Sequence, residues 1–300
     1  MFMFKLLIDC NNNHLYYIFA LNNPKSIPKM NFFKPFYILS LIFISFSTVS
    51  CYQSDDVPEE TPVDPSEFVQ KLLIEDHTGT WCVNCPKAGL NIENAVEDNN
   101  RFIPVTIHYR NLINPEEMQN VFSEELVATY NPLGVFPKVF LNRNETIWGN
   151  SYEVVNLERL LNKSAPVGLA INSSLTGNNI NVNVRVGYVE ETTNTDNYKI
   201  VVYLLESGMV YTQTIPNGED ENYVHNNVLR YSFTNVLGDV LPNEVASDHR
   251  YSKDFTATLP STIENANNLK IVAFVVDKNN NCLNVEVANV GENKDFDFTN

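Results

Sequence analysis

Two cysteines with two residues between them constrain this chain more than any other stretch: Cys82 and Cys85, in Trp81-Cys82-Val83-Asn84-Cys85-Pro86-Lys87. Lys71-Leu72-Leu73-Ile74-Glu75-Asp76 precedes them and reads as a buried strand. The segment after them has Leu90, Ile92, Ala95 and Val96 at helical spacing. A Cys-x-x-Cys pair between a strand and a helix suits thiol–disulfide chemistry. The free N–H groups and positive dipole end of a helix favour a thiolate on the first cysteine, which makes Cys82 the attacking sulfur. Cys85, in the first turn, is placed to resolve a mixed disulfide. Pro86 fits an early helical position, where an N–H would have no partner.

Other readings of the spacing stay open. A zinc site needs about four ligands, and no second Cys pair or close Cys/His pair accompanies this one. Covalent haem attachment needs His after the second cysteine, where Pro86 stands. A structural disulfide on a redox-inactive scaffold remains the plain alternative. No metal site and no cofactor is expected.

The 300 residues suit about two domains, and 44% hydrophobic content suffices for real cores. The formal charge is −16. Residues 1–50 carry Lys5, Lys25, Lys29 and Lys34 against Asp9, so the rest is more acidic still. Such a chain is repelled by phosphate backbones, which argues against nucleic acid as a partner.

The N-terminus reads as an address. Lys34 precedes the apolar run Phe36 to Phe46, short for a membrane span and right for a secretory signal. Thr48-Val49-Ser50-Cys51 resembles a bacterial lipobox, with Thr48 where Leu is usual; the resemblance implies lipidation of Cys51, and a plain secretory signal is the competitor. Met30 makes the better initiator, which leaves residues 1–29 untranslated, 30–50 as signal peptide and 51–65 as an acidic, proline-spaced tether. Ser54-Asp55-Asp56 resembles an export tag to the cell surface, with periplasmic retention the alternative.

Residues 66–165 alternate strand and helix: strand 69–76, helix 86–98, strand 102–109, helix 115–130, strands 138–142 and 146–149, helix 152–162. Glu116 and Glu117 are expected in the first turn of the second helix, complementing its dipole. Asp76, six residues before Cys82, and Gly134-Val135-Phe136-Pro137-Lys138, some fifty residues beyond, resemble the buried acid and cis-proline segment of the thioredoxin superfamily. That resemblance implies an α/β thioredoxin-like domain in which Pro137 packs on the disulfide and Phe136 offers backbone to substrate. Lys138 departs from the family's usual Thr. Cys82 then attacks, Cys85 resolves, Asp76 assists proton transfer and Trp81 covers one side of the pair. His77 and His108 are read as structural or exposed.

Residues 166–295 change character. Strand-like runs at 167–172, 180–186, 198–205, 223–233, 255–259, 269–276 and 283–290 are separated by Asn, Gly and Asp. They predict an all-β antiparallel sandwich, immunoglobulin-like in the broad sense. Tyr223 to Arg230 is assigned a structural role, and Cys282 a buried free thiol.

The whole order, from lipoprotein leader through Thr-Gly-Thr-Trp-Cys-x-Asn-Cys-Pro to Tyr-Val-His-Asn-x-Val-Leu-Arg and Ile271 to Asp277, resembles the bacterial 28-kilodalton outer-membrane-protein family over about residues 66–292. It implies a Gram-negative outer-membrane lipoprotein, facing the periplasm or the surface. Two functions follow as expectations: thiol–disulfide exchange on extracytoplasmic protein substrates, or surface binding of a partner with a structural Cys82–Cys85 disulfide.

Overall fold

Leu72–Thr78 is buried at all seven positions, as a strand covered on both faces must be. It is β1 of a computed structural model that describes residues 68–148, 157–162, 164–189, 197–242 and 250–299. The Met30 start, the signal, Cys51 and the tether lie outside those residues. After β1 come α1 (Cys85–Asp98), β2 (Phe102–His108), α2 (Val121–Tyr130), β3 (Lys138–Leu141) and β4 (Glu145–Trp148). Then follow β5 (Val167–Thr176), β6 (Asn179–Tyr188), β7 (Lys199–Glu206), β8 (Met209–Ile215), β9 (Gly218–His225) and β10 (Val228–Ser232). The last are β11 (Asp239–Val240), β12 (Arg250–Thr258), β13 (Leu269–Val276), β14 (Cys282–Asn289) and β15 (Asn293–Lys294).

The expected α/β thioredoxin-like domain followed by a separate sandwich is not what forms. The described chain is mostly β-sheet with two α-helices, and no α/β thioredoxin-like domain stands apart in it. Strands from both halves enter one nine-stranded sheet in the order β14-β13-β7-β10-β2-β1-β3-β4, with β11 on β7. The join is β10, which runs antiparallel to β7 and meets β2 in parallel at Val228 and Thr106. The all-β expectation holds for the sandwich part alone, where a second sheet, β12-β6-β5-β15, stacks on the first.

Alternation places the layers. On one face Leu73 of β1, Ile103, Val105 and Ile107 of β2, and Tyr203 and Leu205 of β7 pack with Leu126 and Val127 of α2. On the other, Leu72 and Ile74 meet Ala88, Ile92 and Ala95 of α1. Further along that face, Ile200, Val202 and Leu204 of β7 and Ile271 and Ala273 of β13 meet Val182, Val184 and Val186 of β6. A buried ion pair within the first half reaches the second half through a hydrogen bond. Arg143 donates through Nε and Nη2 to the Glu75 carboxylate at 2.9 and 2.7 Å, and through Nη2 to the Tyr203 hydroxyl at 2.9 Å.

Local differences from the sequence reading have local causes. The helix expected from Pro115 begins at Val121 because Asn120 caps it: its side chain accepts from the N–H groups of Phe122 and Ser123, and Ser123 Oγ accepts from Asn120 N–H. Glu116 is therefore not a first-turn residue but turns inward. Of the segment 152–162, Leu157–Leu160 forms a 3-10 turn, and residues 152–156 lie outside the described residues. The run 223–233 breaks at Asn227, whose φ of 55° is left-handed, so β9 leaves the sheet that β10 joins.

Candidate functional site

Cys82 and Cys85 are joined as a disulfide at the start of α1. Asn84 caps the helix position without a side-chain bond, and Pro86 occupies its first turn. The sulfurs are sheltered: Cys82 is 5% and Cys85 3% exposed.

The turn before the helix, Gly79 to Cys82, is held on every side. Cys82 N–H donates to Gly79 C=O at 3.0 Å. Thr80 donates through N–H and Oγ1 to Glu116 Oε2 at 2.7 and 3.0 Å, and its carbonyl accepts from Thr214 N–H at 2.8 Å. Trp81 Nε1 donates to Tyr109 C=O at 2.9 Å, a bond that requires Gly79, since a Cβ there would lie 2.5 Å from that nitrogen. Phe136 meets Trp81 edge-on at 5.4 Å and stacks on Tyr109 at 6.2 Å, and the Phe136–Pro137 peptide bond is cis. The loops that carry these aromatics expose apolar side chains: Val83, Leu112, Ile113, Leu133 and Val135.

Asp76 is buried on the sheet face that α1 covers, 4% exposed. It lines a cavity of about 400 Å³ together with Cys85, Gly89, His108, Tyr223 and His225. Its Oδ1 has no hydrogen-bond partner, and burial pushes its carboxyl up to about 7. Because the folded value lies above the unfolded value of 3.8, this carboxyl leaves stability intact below about pH 4 and erodes it as pH rises through about 7. Asp76→Asn is therefore expected to be more stable than wild type at pH 8, by on the order of 4 kcal/mol, with the difference vanishing near pH 4. Urea unfolding at the two pH values reads it.

The histidines are structural in position but close to the site. His108 Nδ1 lies 3.2 Å from Glu116 Oε1, and its ring meets His225 edge-on at 5.0 Å. Burial and the adjacent His108 push His225 down to about 4, so it is neutral at pH 7. Burial alone would raise Glu116, but its hydrogen bonds to His108 and Thr80 hold it below the usual range. His77 faces the opposite side of β1 from Asp76, packs at a tilt against Phe140 at 4.9 Å and is driven down to about 3, chiefly by burial. Cys282 is buried and free, with its thiol raised by burial. Among the described residues no group of three His, Cys, Asp or Glu is arranged to hold a metal, and no helix is long and apolar enough to cross a membrane.

Sequence reasoning brought Asp76, Trp81, Cys82, Cys85, Phe136 and Pro137 to this region, but missed Glu116, Gln213 and Thr214. The β8–β9 hairpin that supplies the last two carries a legible signal. Val210, Thr212, Thr214 and Ile215 are β-branched, and Pro216-Asn217-Gly218 is a turn.

The described residues form a mostly β-sheet protein with a sheltered Cys-x-x-Cys disulfide at the start of a helix. The family model of outer membrane protein Omp28 matches residues 124–294, and the chain belongs to that family, which places it in the outer membrane. The matched residues contain the β8–β9 hairpin and begin after the cysteines. HBP35 of Porphyromonas gingivalis has a similar structure, with a TM-score of 0.63 at 16% identity over 76% of this chain and 77% of that one. At that identity the likeness is one of fold alone. No curated protein matches the chain.

Proposed function

We propose that this outer membrane protein carries out thiol–disulfide exchange on extracytoplasmic protein substrates, held to the membrane by lipid on Cys51. The carrying observation is the shared cavity: the Cys85 side of the disulfide opens onto the same space as the buried Asp76, whose Oδ1 has no hydrogen-bond partner. In the reduced protein the Cys82 thiolate attacks one sulfur of a substrate disulfide, forming a mixed disulfide and releasing a substrate thiolate. Cys85 then gives its proton to Asp76 and attacks Cys82, which frees the second substrate thiolate and leaves the Cys82–Cys85 disulfide. A carboxyl near pKa 7 is suited to accept that proton at neutral pH. Exposed apolar side chains on the surrounding loops favour an unfolded or extended polypeptide as the substrate.

A second reading is favoured by the shelter of the sulfurs and by the fully bonded turn at Thr80. Here the disulfide is structural, and the protein binds a surface partner. A Cys85→Ser variant separates the two. Exchange predicts that it accumulates a mixed disulfide through Cys82 when given an oxidised protein with scrambled disulfides, seen as a mass shift reversed by dithiothreitol. Absence of any adduct under conditions that modify an exposed thiol supports the structural reading.

A further inference from the structure

We infer that strand β8 is a clamp on the exchange site, and that Gln213 is the positioning residue that sets the equilibrium between the Cys82–Cys85 disulfide and its dithiol. This rests on the exchange reading above. The β8–β9 hairpin stands outside both large sheets as its own two-stranded ribbon. It leaves β7 and returns to β10 through two left-handed residues, Gly208 (φ 76°) and Asn227 (φ 55°). Its register shifts between Tyr211 and Gln213, a bulge of the kind that re-aims a side chain beside a functional site.

The re-aimed side chain is 2% exposed and reaches across 131 residues of sequence. Gln213 Nε2 donates to Cys82 C=O at 3.1 Å and shares its second proton between its neighbour Thr214 C=O at 3.1 Å and Gly79 C=O at 3.4 Å; Gly79 and Cys82 are the two ends of the turn that delivers Cys82 to the helix. Thr214 N–H holds the carbonyl of Thr80 between them at 2.8 Å. None of these bonds involves sulfur, so none is lost when the disulfide opens. In the dithiol the clamp keeps the Cys82 backbone against the start of α1, where Cys85 is fixed by the helix. The two thiols then face each other at high effective concentration, and closure to the disulfide is favoured. Without the amide, the turn gains freedom in the dithiol that the disulfide itself denies it, and the balance moves toward the reduced form.

The reaction to measure is disulfide plus two glutathione giving dithiol plus glutathione disulfide, with two electrons and two protons passing to Cys82 and Cys85. Gln213→Met keeps the volume and removes the donors. It is expected to shift this equilibrium about tenfold toward the dithiol, a rise of about 30 mV in potential. Gln213→Asn, which keeps an amide but withdraws it by one methylene, is expected to shift it the same way and serves where the Met variant fails to fold. Glu219→Ala, exposed near the hairpin turn, is expected to match wild type. Gln213 variants equal to wild type, or shifted toward the disulfide, overturn the clamp while leaving exchange intact. A wild-type pair that never equilibrates with glutathione overturns the exchange reading itself.

Discussion

Glu75→Ala is expected to cost the fold about 3–5 kcal/mol, read as a fall in the urea midpoint at constant slope. The carboxylate is the counter-charge to a guanidinium buried at the centre of the large sheet. Burial alone would lower the Arg143 pKa, and Glu75 beside it more than reverses that, so the arginine stays charged. Its Nη1 also donates to Val236 C=O at 3.3 Å, and the guanidinium lies over the rings of Phe274 at 4.7 Å and Tyr130 at 5.1 Å. Removing Glu75 leaves that charge without an anion among apolar and aromatic groups. Because Arg143 follows β3 while Tyr203 lies on β7 and Val236 precedes β11, the loss is felt across the join between the two halves of the chain. The double variant Glu75→Leu with Arg143→Met is expected to recover most of the stability, since a well-packed apolar pair needs no charge compensation. A single variant as stable as wild type would show that the buried Arg143 charge needs no anion from Glu75.

Cys82→Ser is expected to abolish exchange, leaving no turnover above the background of a chain without the pair. The remaining Cys85 lies inside the first turn of α1 and lines the cavity shared with Asp76, whereas the attacking position at the free end of the helix belongs to Cys82. Cys282 cannot replace it, since burial holds its thiol protonated and no substrate reaches it. The Cys85→Ser variant keeps the attacking sulfur and loses only resolution. The two single variants therefore differ in kind: one is inert, and the other captures substrate without releasing it. Thiol-specific labelling with a disulfide-bearing protein, resolved by mass, distinguishes them. Equal behaviour of the two variants would remove the assignment of attack to Cys82.

Much of the site was legible because its parts are local. The strand of seven buried residues, the two cysteines, Pro86 and the helical spacing from Ala88 to Val96 lie within one short stretch, and their order fixes where the disulfide sits. The Phe136–Pro137 segment was legible as a proline entering a strand. Glu116 was misread because an acid after proline resembles a helix start, while the Asn120 and Ser123 pair that sets the true start lay further on. Gln213 carries no local sign of its role, since what it grips is 131 residues away. The architecture failed for a similar reason. Strand alternation over 66–165 specifies elements but not which edge they leave open, and β10 joins β2 through a single residue pairing, Val228 with Thr106. One sheet through both halves is a property of that pairing and of Glu75, Arg143 and Tyr203 together.

The most direct measurement is the reduction potential of Cys82–Cys85 in the full chain, equilibrated against glutathione and read by alkylation of those two cysteines. Exchange predicts a value in the range of oxidoreductase pairs, roughly −120 to −270 mV. A value below about −300 mV, with no equilibration against glutathione, would contradict it and make the disulfide a structural staple.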